Sequence, residues 1–363
     1  MQPLAVLPAS EPVEPRAPAA DPTWRQVVRA VRIESGSAYE IAGRRVEVGR
    51  SVAAAWPGHV PHDEPLVERL SLDLYESAYV ARIDRPNPGV TPAVTGEAAV
   101  SALSAALSDA NDTVDRWDEG WTVEATLATG AVGARKGDRV RVLLPGEFHV
   151  PGGRGSMPAA GAAAFARVER ESWTAQPGFY FAFGRELGDA EDEHGLLRFY
   201  WNLRSPDDAP ELVRAVTRAL NRFEIPFRLK CPIHPPAYRR IDTAVLYVAR
   251  RHFRITVGRL ADVHGSLADR LDPEVPLMTK RLARGLALAE DPGGGESFGT
   301  HRCRVLAESL WDAHRAGAVD EETRDEHVRA GFRRHGLDPD RPYLDPRSRD
   351  VYEFPFPAPE SAP

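Results

Sequence analysis

The sequence predicts an α+β fold: a mixed, largely antiparallel sheet covered by helices, with a helical part towards the N-terminus. Three observations carry this. Between residues 178 and 249 the chain reads strand, strand, amphipathic helix, strand, strand, an order that lays helices over a sheet. Residues 117–144 read as short strands joined by Gly-containing turns, with alternation in Trp121, Val123, Ala125 and Leu127 and again in Val140, Val142 and Leu144. Residues 24–33 and 66–81 carry apolar side chains at helical spacing.

In chain order, residues 1–22 are rich in Pro and Ala and read as a disordered leader, and 351–363 as a flexible tail. The helical N-terminal part, 23–112, ends in an Ala-rich helix over 97–111 that follows a Pro/Gly loop, and it is the natural docking region for a partner. The core spans 113–350. A Gly, Pro and Ala loop at 151–163 separates the first strands from those at 178–187, 195–203, 226–232 and 243–249. One helix, 210–223, lies between the second and third of these, and a later one runs over 301–316. No internal repeat is present.

A chain of 363 residues can bury one large core or two closely packed ones. Its composition, 42% apolar and 27% charged with net charge −7, gives no general affinity for nucleic acid or anionic membrane, so neither is an expected partner. An anion site must be a local cluster of arginines. Two cysteines, Cys231 and Cys303, are too few for a disulfide framework or a structural zinc site, so a reducing, cytoplasmic setting is expected. The first residues lack the basic start and unbroken apolar run of a secretory signal, and no later stretch is apolar for long enough to span a bilayer.

Lys230 is one of three lysines in an arginine-rich chain, and it sits between apolar neighbours in a strand bracketed by Pro226 and Pro232. Arginine stays charged in proteins, whereas a desolvated lysine gives up its proton and can act as a base. Alternation puts Phe227, Leu229 and Cys231 on one face and Arg228 and Lys230 on the other, which is either a basic solvent face or a site. In the strand at 195–203, Arg198, Tyr200 and Asn202 share a face opposite Leu197, Phe199, Trp201 and Leu203; a solvated sheet face is the plain alternative to a polar cleft. Arg239, Arg240 and Asp242 precede the strand at 243–249, and Tyr247, Arg250 and Arg251 lie in it or follow it. Paired arginines decorate surfaces or grip phosphate in a fork that lysine cannot reproduce.

A Gly-rich turn, "EDPGGGESFGTHR", leads through Ser297 and Thr300 into the helix that carries His301 and Arg302. Such a helix start offers free N–H groups to an anion. No Gly-Lys-Ser/Thr follows the glycines, so ATP binding is not supported. Glu290, Asp291 and Glu296 have no recognised metal spacing, and no metal is expected.

The runs "PGFYFAFGREL", "RFYWNL", "LNRFEIPFRLKCP", "YRRIDTAVLY" and "LALAEDPGGGESFGTHRCRVLAESL", with "LYESAYVARID" upstream, resemble the HopA-type effector family, which also occurs beside bacterial precursor-peptide genes. The resemblance implies a lyase of class V lanthipeptide and thioamitide biosynthesis. A kinase-like partner phosphorylates Ser or Thr of a ribosomal precursor, this protein eliminates phosphate to leave dehydroalanine or dehydrobutyrine, and a cyclase is a further implied partner. No organic cofactor is implied. Through the related phosphothreonine lyases, Lys230 matches the base, and Arg239 or Arg240 and Arg302 fit phosphate-holding arginines; Arg198, Arg185 and Asn202 are further candidate binding residues. Those relatives carry a basic residue, any residue, then the acid histidine; here the stretch is Arg198-Phe199-Tyr200, which leaves Tyr200 or His301 as the acid. A non-catalytic scaffold gripping a kinase or a leader peptide is the rival reading, and it expects Lys230→Ala to cost nothing.

Overall fold

The computed structural model describes residues 23–49, 62–84, 96–152, 157–189 and 191–355. The leader expected over 1–22 and the last part of the expected tail, 356–363, lie outside these.

The N-terminal part holds α1 (Trp24–Ala30), a meander of β1 (Val31–Ser35), β2 (Ala38–Ile41) and β3 (Arg44–Glu47), then α2 (Pro65–Leu74) and α3 (Glu97–Ala110). The meander departs from the all-helical expectation. The helix stops at Ala30 because Val31 and Ile33 alternate with exposed Arg32 and Glu34, a half-buried strand pattern of β-branched residues. Past α2 the chain continues into a π-helical turn, Tyr75–Tyr79, closed by Val80 N–H donating to the Tyr75 carbonyl at 3.0 Å. Its wider turn presents Tyr75 and Tyr79 stacked, with ring centroids 5.3 Å apart.

A five-stranded antiparallel sheet follows, built from β4 (Arg116–Thr126), β5 (Val132–Lys136), β6 (Arg139–Leu143), β7 (Phe148–His149) and β8 (Ala163–Val168) in the order β6-β5-β4-β8-β7. Trp121, Val123, Val132, Ala134 and Leu143 form its own small core. A bulge between Val123 and Ala125 shifts the register, so the alternation read from Trp121 to Leu127 breaks and Leu127 faces solvent. On β6 it is Leu143 that turns inward, while Val142 and Leu144 are exposed.

The central sheet has seven strands in the order β14-β15-β11-β13-β12-β10-β9. They are β9 (Glu171–Ser172), β10 (Phe179–Phe183), β11 (Leu196–Trp201), β12 (Phe227–Pro232), β13 (Ala244–Ala249), β14 (Lys280–Ala283) and β15 (Leu286–Glu290). Helix α4 (Ala209–Asn221) carries the chain from β11 to β12, but β13 inserts between them, so this is a split β-α-β unit and every neighbouring pair is antiparallel. The hairpin β14–β15 was not read as strand, because all five residues of Leu286–Glu290 are buried and no polar alternation marks it.

Both faces of the central sheet are covered. Leu197, Phe199, Trp201, Leu229, Leu246 and Val248 pack under α3, α4 and α5 (Phe253–Leu267). Tyr200, Val245, Ala287 and Ala289 pack under α2, the π turn, α6 (Phe298–Arg315) and α7 (Glu321–Arg334). The second cover stops short of β12, which leaves part of that face open. At the far end the chain stays packed beyond residue 350, where the tail was expected to start: Tyr352 is fully buried and its hydroxyl donates to Glu290.

Gly299, in the first turn of α6, lies against the Tyr79 ring, and a methyl placed there would overlap it. In a helix interior alanine gains about 1 kcal/mol over glycine, but forcing a tight contact costs about 1–3 kcal/mol. Gly299→Ala should therefore lower stability by up to about 2 kcal/mol in urea denaturation; raised stability would contradict the close packing of the π turn on α6.

Candidate active site

The register of the central sheet decides which side chains meet. One row across the open face runs Arg198–Tyr247–Arg228, and the next runs Tyr200–Val245–Lys230–Phe181. Lys230 is thus placed by β12, Arg198 by β11 and Tyr247 by β13, while Arg240 arrives from the turn before β13.

These residues line a cleft of about 520 Å³, together with Tyr75 from the π turn, Gln176 before β10 and Phe179 at its start, and Ser297 and Thr300 at the start of α6. Lys230 is half-buried, and among the described residues its amine has no hydrogen-bond or ion-pair partner. Instead Nζ stands 3.9 Å from the centre of the Phe179 ring. Burial, helped by the positive charges of Arg240 and Arg198 and opposed by Asp242, lowers its pKa to about 7. At neutral pH a large share of the molecules then carries the free amine.

The two cleft arginines are held by carboxylates. Arg198 Nε donates to Asp291 at 2.7 Å and its guanidinium stacks 5.2 Å from the Tyr247 ring. Arg240 donates through Nε and Nη2 to Asp242 at 2.7 and 2.9 Å and through Nη2 to the Tyr75 hydroxyl at 3.0 Å. Nη1 and Nη2 of Arg198 and Nη1 of Arg240 make no hydrogen bond among the described residues, which leaves N–H groups for a ligand. Burial raises the Tyr75 and Tyr247 phenols, so both remain protonated donors.

The start of α6 completes the wall. Ser297 caps it by accepting from Thr300 N at 3.1 Å. Gly293, Gly294 and Gly295 all have left-handed φ, 72°, 65° and 82°, so the turn delivering this helix start suits glycine. Asp291 holds the turn by accepting from Gly293 N at 2.9 Å while it grips Arg198. A basic amine, two fixed guanidiniums and a capped helix N-terminus around one cavity can bind an anion and take a proton beside it.

The remaining candidates fall elsewhere. Tyr200 points to the expected face but is buried against Tyr79 and Phe298, 6.4 Å from each ring, and does not line the cleft. His301 Nδ1 lies 2.7 Å from Arg302 Nη1, outside the cleft; burial and Arg302 lower its pKa to about 3, which keeps it neutral. Arg302 is fully buried and donates to the carbonyls of Pro342 at 2.7 Å and Leu344 at 2.9 Å. Arg239 is exposed, outside the cleft. Arg185 is exposed too, and its carbonyl accepts from Arg116. Asn202 is buried with Nδ2 on the Glu274 carbonyl at 3.2 Å. Arg250 pairs with Glu290 and Arg251 with Asp192. The three loop carboxylates are also taken: Glu290 by Arg250, Asp291 by Arg198 and Glu296 by Arg304. Tyr75 and Gln176 are not singled out by the sequence; Tyr75 lies within the quoted run "LYESAYVARID", and Gln176 in a turn-like stretch.

Residues 171–344 match the HopA1 effector protein family. Two solved structures are similar in outline. The effector protein from Pseudomonas syringae pv. tomato strain DC3000 is 16% identical, covers 75% of this chain and 88% of its own, and has a TM-score of 0.41. The effector protein from Pseudomonas syringae pv. syringae strain 61 is 14% identical, covers 76% and 89%, and has a TM-score of 0.43. No curated protein matches the chain.

A lysine with a depressed pKa costs stability when the pH is low. Below about 7 both native and unfolded chains hold the proton and the penalty is full; between about 7 and 10.5 the native chain has released it while the unfolded chain still binds it, so stability rises with pH through that window. Lys230→Met should therefore raise the melting temperature most at pH 6 and least near pH 10. A uniform shift, or a fall at pH 6, would contradict the depressed pKa.

Proposed function

We propose, starting from the match of residues 171–344 to the HopA1 effector protein family, that this chain is a phosphoserine/phosphothreonine lyase acting on a phosphorylated ribosomal precursor peptide. The observation that carries the reading is Lys230, without an ion-pair partner among the described residues and with a pKa near 7, beside Arg198, Arg240 and the start of α6 in one cleft.

The chemistry is a β-elimination. The neutral Lys230 Nζ takes the Cα proton of the phosphorylated residue; the C–H electron pair becomes the Cα=Cβ bond; the Cβ–O bond breaks and phosphate leaves with its electrons. The products are dehydroalanine from phosphoserine or dehydrobutyrine from phosphothreonine, and Lys230 returns its proton to water. An α-proton beside an amide is weakly acidic, so an amine already free near neutral pH is the useful base. Charge developing on the departing oxygen falls to the Arg198 and Arg240 N–H groups and the α6 start, donors fixed in place before reaction.

Neither acid named from the sequence reaches this oxygen. Phosphate monoesters have a second pKa of about 6, so the group can leave as an anion neutralised by guanidiniums, and the Tyr75 and Tyr247 hydroxyls are the proton donors within the cleft. In this reading Tyr200 and His301 are structural. The kinase-like phosphotransferase supplies the substrate, the cyclase uses the product, and both remain part of the proposal with the cytoplasmic setting.

The test is mass spectrometry of a phosphorylated precursor incubated with the protein, with and without the kinase. Loss of phosphoric acid is expected with the wild type and none with Lys230→Ala or Lys230→Arg. Arg198→Ala and Arg240→Ala should each lower kcat by about 10²–10³, while Tyr200→Phe and His301→Ala keep most of it. An intact phosphopeptide under all conditions would sink the lyase reading and favour the scaffold. A second measurement is the pH profile of kcat/KM, which should rise to a plateau with an apparent pKa of about 7. Arg240→Gln should move that limb to higher pH, because Arg240 is one of the charges that lower the lysine; an unmoved limb would remove Lys230 as the titrating base.

A further inference from the structure

The cleft does not end at Arg198. A second cavity of about 460 Å³ opens beyond it, over Arg198, Tyr247 and Arg228 and under the Gly293–Gly295 turn. A third, of about 360 Å³, lies further on between the Pro226 end of β12 and the five-stranded sheet. Tyr247 lines all three, and Phe183, Leu196, Arg228 and Glu193 are shared by the second and third. The result is one continuous trough along β12.

Its far end is held in shape. Arg139 and Arg141 of β6 donate to the carbonyls of Leu187 at 3.2 Å and Gly188 at 2.8 Å, which clamps the small sheet against the segment after β10. The floor there is apolar, made of Leu143, Phe183, Leu187 and Leu196. Most charges on the rim are matched within the chain: Arg228 with Glu193 at 3.0 Å, Arg167 with Glu169 at 3.3 Å, Asp192 with Arg251 at 2.7 Å, and Glu186 with Arg116 at 3.0 Å, while Arg141 bonds the Gly188 carbonyl and Glu147 accepts from Leu144 N. A cavity with an apolar floor and a rim whose charges are mostly paired favours an apolar side chain, since a charged one would lose water on entering it.

The length of the trough sets the spacing. From Lys230 to Pro226 is four residues of strand, about 13 Å at about 3.3 Å per residue. A single phosphoamino acid fills only the cleft, whereas an extended peptide covers that distance in the same four residues. Even spacing also matters, because side chains four apart in an extended chain point to the same side. A phosphorylated side chain lowered towards Lys230 and a second side chain lowered into the far cavity therefore fit one straight peptide.

We infer that the trough seats an extended substrate peptide, with the phosphorylated residue over Lys230 and a large apolar side chain, four residues away along the peptide, anchored in the far cavity. This rests on the lyase reading and adds a specificity rule to it.

The test uses synthetic phosphothreonine peptides with Leu, Ala or Asp placed four residues before or four residues after the phosphothreonine, assayed for elimination by the full chain with the kinase present. Binding of the same peptides to Lys230→Met is followed by fluorescence anisotropy. Leu in place of Ala at one of the two positions should raise kcat/KM by about tenfold to a hundredfold, with Asp the poorest, and Leu187→Glu should erase the Leu-over-Ala preference. Equal turnover whatever stands at both positions overturns the anchor and leaves the lyase intact. No elimination of any peptide, combined with tighter binding of the Leu peptides, removes the lyase and keeps the trough. Binding that ignores both positions, with no elimination, removes both.

Discussion

A lysine amine held in a cleft over an aromatic ring, with no carboxylate bonded to it among the described residues, is the constraint on which the candidate site depends. Asp242 acts on it from nearby and by itself would hold the ammonium form. Arg240 clasps Asp242 through two nitrogens, and Arg198 engages Asp291. Arg240 thereby occupies the acid that acts on Lys230, and both arginines add positive charge that disfavours the ammonium. The cationic groups that lower the lysine are the ones that would meet a departing phosphate. Base strength and anion binding are set by one cluster.

The rest of the fold holds that cluster still. The central sheet is buried on both faces, so the register of β11, β13 and β12 is fixed and Arg198, Tyr247, Arg228 and Lys230 cannot slip to the other side. The π turn brings Tyr75 onto Arg240, and the close approach of Tyr79 to Gly299 sets where α6 begins. Arg302 anchors the same helix from within by bonding the carbonyls of Pro342 and Leu344. Buried Glu290, at the end of β15, accepts from Asp345 N at 2.6 Å and from the Tyr352 hydroxyl and pairs with Arg250. The C-terminal segment thus ties the α6 start to the sheet, and the helix end that faces the cleft has little freedom to drift.

Much of this was readable in the sequence. The alternation in β11 and β12 put Lys230 and Arg198 on one face, α4 was found within two residues of its ends, and the Gly-rich turn does lead into a helix. What failed was long-range. Tyr200 shares a face with Arg198, but whether that part of the face is a cleft or a core depends on where the π turn and α6 land, which no local pattern states. Arg302 misled because an arginine beside a Gly-rich turn looks like a phosphate ligand. Its phase was a warning, since it lies four residues from Phe298 on the buried stripe continued by Val305, Leu306 and Ser309. The hairpin β14–β15 was hidden because a strand buried on both faces lacks alternation, and the five-stranded sheet's contact with residues 187–188 could not be foreseen from either segment alone.

The most direct measurement is of Lys230 itself. The chain has only three lysines, so a protein labelled with carbon-13 at the lysine ε-carbon gives three side-chain signals, and the one missing from Lys230→Met is assigned at once. The account predicts that this signal titrates with a midpoint of about 7. A Lys230 signal that stays unchanged until the pH exceeds about 10, the ordinary lysine range, would contradict the claim that the fold keeps a free amine ready in this cleft.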